Sequence, residues 1–318
     1  MSATITAHSG ASPRAGSSRP LSKRLLADTR IAPWLYLSPV LLTLAIWIYV
    51  PLIEAFQLSF YQWNMLPTAP KTFVGLDNYR RLFILPEMQR ALWNTGIYII
   101  GLFPMSIIIP LAVAIFTQDL KGPLRNLYRT LIFVPMIIAP VVAAIVWRWL
   151  LNEDHGLVNH ALVGLGLSKI GFLQDPKYAL GTLIWITGWK LIGFSTLLFS
   201  AANAGINPSY VEAARMDGAT RWQIIRDIRL PLLSPTILLL SMMTILFGAQ
   251  WSFTYINVLT HGGPLKSTTN IFYLLWDYGF GSLSVGWSSA AGMIAFAGFA
   301  AIAFVCLRLM QRRAVYDN

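Results

Sequence analysis

A helix needs about 20 consecutive apolar residues to cross a hydrocarbon layer of roughly 30 Å. This chain supplies six such runs, Pro33 to Leu52, Ala91 to Thr117, Thr130 to Trp149, Tyr178 to Ala204, Leu232 to Leu259 and Trp287 to Leu307. Within them the acidic and basic residues number two, Arg148 near the end of the third run and Lys190 inside the fourth. Stretches of that length between short polar segments predict an all-α membrane protein of six transmembrane helices. Pro39, Pro104, Pro110, Pro135 and Pro140 predict kinks that neighbouring helices can tolerate.

The bulk numbers agree with the runs. Charged residues make up 12% of the chain, against about 25% in a soluble domain. No segment between the runs is long enough for a separate soluble core, so residues 31–318 are expected to form one membrane domain. Residues 1–30, rich in Ser, Ala and Gly with five basic side chains, read as a flexible cytoplasmic tail. The net charge of +11 sits in short segments without aromatic interleaving, which excludes a nucleic-acid surface and suits anionic lipid headgroups. Cys306, the one cysteine, excludes a disulfide within the chain and reads as a packing residue.

Lysine and arginine set the expected orientation. With the amino terminus inside, fifteen basic residues fall in inside segments and seven in outside segments. Both termini are therefore expected to be cytoplasmic. Tryptophans such as Trp34, Trp93, Trp149 and Trp287 lie near run ends, where an interfacial ring is favoured. No fixed-period repeat is present.

The most polar connection joins the fourth and fifth runs and reads NPSYVEAARMDGATRWQIIRDIRLPLLSPT from Asn207. Pro208 and Ser209 predict a helix start, Gly218 a break, and Trp222 to Ile228 a second short helix before Pro231. Two ordered helices in an exposed connection fit a surface that docks into a partner's groove. Glu212, Ala213 and Ala214, then Gly218, then Ile228, Leu230 and Pro231 stand at the spacing of the EAA motif, and on them the chain resembles the permease subunits of ABC importers. FVGLDNYRRLF at Phe73 to Phe83, LWNT at Leu92 to Thr95 and HGGP at His261 to Pro264 narrow that resemblance to the sugar and glycerol-phosphate permeases.

The resemblance implies a type I importer fold and a multi-pass position in the bacterial inner membrane. It implies a coupling role for the loop at about 205–231, with Glu212 meeting a basic residue of an ATP-binding subunit and Gly218 making the turn. It also implies a second homologous permease, two ATP-binding subunits that carry ATP and Mg²⁺, and an external solute-binding protein. The chain itself would bind no cofactor and perform no catalysis. GGPLKST at Gly262 to Thr268 does not make a phosphate loop, because Leu265 replaces the glycine before Lys266.

Candidate solute-lining residues are Lys190, an intramembrane charge, and Gln250, Trp251, Ser252, Tyr255 and Asn257, whose aromatic faces and polar groups suit a sugar. An ion-coupled carrier is disfavoured because no carboxylate lies inside a predicted run. A scaffold remains as the third reading, distinguished by whether partner ATP hydrolysis depends on this chain.

Overall fold

The computed structural model describes residues 32–66, 68–118 and 122–313. The tail predicted for residues 1–30 lies outside the described residues. The chain divides into two units, Met1–Glu54 and Ala55–Asn318. Helix α1, Pro33–Leu58, supplies the described part of the first. Pro39 cannot donate to the Leu35 carbonyl, and the Ser38 hydroxyl donates to it instead at 2.8 Å, the local repair that lets a proline sit in an apolar helix.

The second unit is nearly all helical. A two-residue antiparallel ladder, β1 Tyr61–Gln62 and β2 Thr72–Phe73, pairs Tyr61 with Phe73 and Gln62 with Thr72. Next come α2 Asp77–Ile84, α3 Pro86–Phe116, α4 Pro123–Ile137, α5 Pro140–Leu150, α6 Leu157–Gly164 and α7 Pro176–Ala204. Helices α8 Pro208–Met216 and α9, residues 221–232, precede α10 Ser234–Thr260, α11 Ile271–Trp276 and α12 Val285–Arg313.

Five helices among the described residues are long and apolar enough to cross a membrane, and the pair Thr130–Ile137 and Pro140–Leu150 makes a sixth span if counted as one. That pair corrects the expectation of a single helix from Thr130 to Trp149, because it bends by 105° at the break. The reason is local. Pro140 excludes the α conformation at the residue before it, and Ile138 and Ala139 are extended, with ψ of 129° and 136°.

Buried side chains join the helices into three apolar clusters, centred on Tyr98, Ile186 and Ile256, on Leu82, Met88 and Ile271, and on Phe199 and Leu240. Small polar pairs cross between spans as well. Thr244 of α10 donates to Ser106 of α3 at 2.9 Å, and Asn203 at the end of α7 donates to Gln118 beyond α3 at 2.7 Å. Such pairs contribute about 0.6 kcal/mol each inside a bilayer.

Candidate functional site

The segment from Asn207 to residue 232 is a pair of capped helices, and each cap is explicit in the sequence. Asn207 accepts from the Ser209 amide at 3.1 Å, with Pro208 in the first turn of α8, where its missing N–H costs nothing. Gly218 adopts φ +80°. The Ala219 amide then reaches Ala214 O at 2.9 Å and the Gly218 amide reaches Arg215 O at 3.1 Å, the two bonds of a Schellman stop. Thr220 and Gln223 close a reciprocal capping box on α9.

Helix α9 does not end before Pro231 as the sequence suggests. It continues to Leu232 through a π-helical stretch, Ile224–Arg229. The wider turn preceding Pro231 accommodates the ring and the missing donor.

The outer face of this pair presents Glu212, Ala213 and Gly218 to solvent, flanked by two large apolar side chains, Met216 at 88% and Trp222 at 64% exposure. Glu212 forms no ion pair among the described residues. Ala214, Ile228, Leu230 and Pro231 are half-buried, so they seat the pair while Glu212 and Ala213 face outward. Exposed apolar groups thus flank a carboxylate without an ion-pair partner among the described residues.

Deeper in the bundle, a cavity of about 800 Å³ opens between the α4–α5 break and helices α7, α10, α11 and α12. Four of the six residues nominated from the sequence line it: Lys190, Gln250, Trp251 and Tyr255. Ser252 does not. It is fully buried, donates to Ala249 O at 2.7 Å and accepts from Asn270 at 2.9 Å. Asn257 is half-buried in the terminal turn of α10, away from the lining.

Residues missed from the sequence include Thr187 and Phe194, and Trp276 and Phe280. The first two were recoverable, since they lie three before and four after Lys190 on one helix face. The other two belong to a short helical segment outside any apolar run.

Lys190 has a structural partner as well. Its ammonium donates to the Ile138 carbonyl, which the break after α4 leaves without an amide. A cation thus meets the negative end of α4 while its stem lines the cavity. The Tyr255 hydroxyl, in the same wall, is buried without a hydrogen-bond partner among the described residues.

At the opposite end of α3, Asn94 and Thr95 of the LWNT segment hold the HGGPLKST loop. Asn94 donates to Ser267 O at 3.0 Å and Thr269 O at 2.9 Å, and Thr95 accepts from the Ile271 amide at 3.0 Å. Arg90 donates to Leu265 O at 2.8 Å and Lys266 pairs with Glu87. Gly262, at φ +78°, has Thr269 and Tyr273 where a Cβ would stand. The loop is therefore a pinned turn, as its failure to match a phosphate loop implied. Burial, with the Glu87 and Asp277 carboxylates nearby, pushes the Tyr278 phenol at its edge up to about 12, so it stays neutral at physiological pH.

Known proteins resemble this chain in sequence and fold. The family of binding-protein-dependent transport system inner membrane components matches residues 106–316. The chain belongs to this family. A probable ABC transporter permease protein, YurN, of Bacillus subtilis is 30% identical over 292 residues, covering 91% of this chain and 97% of its own length. The sn-glycerol-3-phosphate transport system permease protein UgpA of Pectobacterium atrosepticum is 30% identical over 273 residues, covering 86% and 88%. A chain from the crystal structure of a bacterial alginate ABC transporter, in complex with a periplasmic protein holding an alginate pentasaccharide, superposes with a TM-score of 0.78 at 28% identity, covering 91% and 98%.

As a permease of this family the chain is a multi-pass membrane subunit with the type I ABC importer fold. The capped helix pair falls inside the matched region, and so does the cavity.

Proposed function

We propose that this chain is the non-catalytic membrane subunit of an ATP-driven importer in the bacterial inner membrane, passing a sugar or sugar-like solute from an external binding protein to the cytoplasm. It works beside a second homologous permease and two ATP-binding subunits. ATP and Mg²⁺ sit on those partners, and this chain binds no cofactor. The observation that carries the reading is the capped helix pair, whose exposed Glu212, Met216 and Trp222 present a preorganised surface to a partner's groove.

Import follows from differential binding of states. ATP closes the ATP-binding dimer, the α8–α9 pair moves with it as one rigid piece, and the spans reopen toward the binding protein. The loop moves the helices and performs no chemistry. Glu212, Ala213, Ala214, Gly218, Ile228, Leu230 and Pro231 form the coupling element, with both termini and this element on the cytoplasmic side.

The solute class rests on the cavity and the relatives together. Trp251 and Trp276 offer ring faces, Gln250 and the unpartnered Tyr255 hydroxyl offer hydrogen bonds, and a ligand that stacks and hydrogen-bonds is a sugar or a polyol ester. The relatives' names, glycerol-3-phosphate and alginate, lie in the same chemical range.

The test is solute-stimulated ATPase activity of the reconstituted complex, comparing wild type with Glu212→Ala plus Gly218→Pro. Stimulation is expected to collapse, either in the assembled complex or through its dissociation. Unchanged stimulation overturns the coupling assignment.

A further inference from the structure

Where α8 and α9 meet the end of α3, a second and much smaller cavity of about 130 Å³ is ringed by Arg215, Arg221 and Arg229, with Ile115, Phe116 and Ile224 as its apolar wall. A volume that size holds about four waters, room for one phosphoryl group and too little for a sugar.

Arg229 is the decisive member. It is only 8% exposed and pairs with no carboxylate among the described residues. The nearest acid in sequence, Asp227, is taken by Arg226 at 3.2 Å. Arginine cannot shed its proton to escape burial, so an unpaired guanidinium in this position is held at a cost that an anion would offset. Two further guanidiniums facing the same space raise the charge well above what one carboxylate would balance.

The wall opposite the arginines is apolar and continues outward. Ile109 and Phe116, seven residues apart on one face of α3, are 41% and 70% exposed, and Phe116 lines the cavity. A tetrahedral oxyanion attached to a hydrocarbon chain satisfies both halves, whereas free phosphate leaves the apolar track unused. Guanidinium forks suit phosphate oxygens in two-point contacts.

We propose that this cavity binds the phosphodiester of an anionic phospholipid, with Arg215, Arg221 and Arg229 on the headgroup and an acyl chain along Ile109 and Phe116. The lipid then ties the helix pair to the end of α3, whatever solute the transporter carries.

The experiment uses the intact transporter complex in phosphatidylcholine nanodiscs titrated with phosphatidylglycerol, with retained lipid counted by native mass spectrometry. Wild type is expected to retain phosphatidylglycerol over phosphatidylcholine. Arg229→Gln lowers that retention about fivefold, the equivalent of ~1 kcal/mol per basic group near an anionic lipid. Arg229→Lys, which keeps the charge and loses the fork, falls between. Should Arg229→Gln fail to assemble, the exposed Arg221→Gln reads the same contact.

Retention that ignores these substitutions overturns the proposal. So does equal thermal stabilisation of the lipid-free complex by inorganic phosphate, which assigns the site to a soluble anion. Stability lost on Asp119→Asn, with lipid retention insensitive to Arg229→Gln, assigns the cavity to a carboxylate of the chain itself.

Discussion

Asn270 joins two elements with one side chain. Its Oδ1 accepts from the Tyr273 amide at 2.9 Å and so caps α11, while its Nδ2 donates to Ala249 O at 2.7 Å and Ser252 Oγ at 2.9 Å on α10. Replacing it with Ala removes a cap, at about 1 kcal/mol, and orphans a buried acceptor, at about 1–3 kcal/mol more. Asn270→Ala should therefore lower the thermal midpoint of the detergent-purified protein clearly. Asn257→Ala, which breaks no such network, should stay within about 0.5 kcal/mol of wild type. Equal midpoints for the two variants would remove Asn270 from this role. Lys190 and Trp251 separate by a similar comparison. Lys190→Met strips the Ile138 carbonyl of its donor, so stability and solute response should fall together. Trp251→Ala removes a lining ring and should raise the half-saturating solute concentration in the ATPase assay with little change in midpoint.

At the level of elements, the α8–α9 pair was the most legible part of the chain, because its caps are written in adjacent residues. A prolyl start after Asn207, a glycine stop at Gly218 and the Thr220–Gln223 box are local rules that need no tertiary information. What the sequence left open was decided by long-range packing. Pro140 was visible as a kink that sets the 105° break locally, but the donor that satisfies the freed Ile138 carbonyl, Lys190, fifty-two residues away, was not. The aromatic wall from α11 was hidden because six residues are too few for a span. LWNT was readable as a signature and unreadable as a latch, since its partners lie more than 170 residues on. The local rules do yield a prediction. Gly218→Ala places a Cβ at φ +80°, costing roughly 1–2 kcal/mol. Amide protection across Pro208–Met216 should drop while protection in α7 stays, as read by hydrogen exchange of the purified protein. Uniform protection would show that the left-handed turn does not limit this helix.

For the whole molecule, orientation is the property that couples charge distribution to direction of transport. The fold puts Gln118 and the α8–α9 pair at one end, since the end of α7 reaches the end of α3 through Asn203 and Gln118. The loops around Asp154 and Lys169 lie at the other end of α7, where those two side chains pair at 3.4 Å. The sequence count gives fifteen basic residues to the segments expected inside and seven to those expected outside, a bias that predicts a cytoplasmic position for the helix pair. The prediction is checked with Cys306→Ala as background, since Cys306 is the one native thiol. Exposed Ser209→Cys in α8 and exposed Ser168→Cys beyond α6 are each added singly, in right-side-out vesicles. A membrane-impermeant maleimide should label Ser168→Cys at once and Ser209→Cys only after the vesicles are opened. The reverse pattern would place the helix pair outside, away from cytoplasmic ATP. It could not then couple import to ATP-binding subunits, however well its shape fits them.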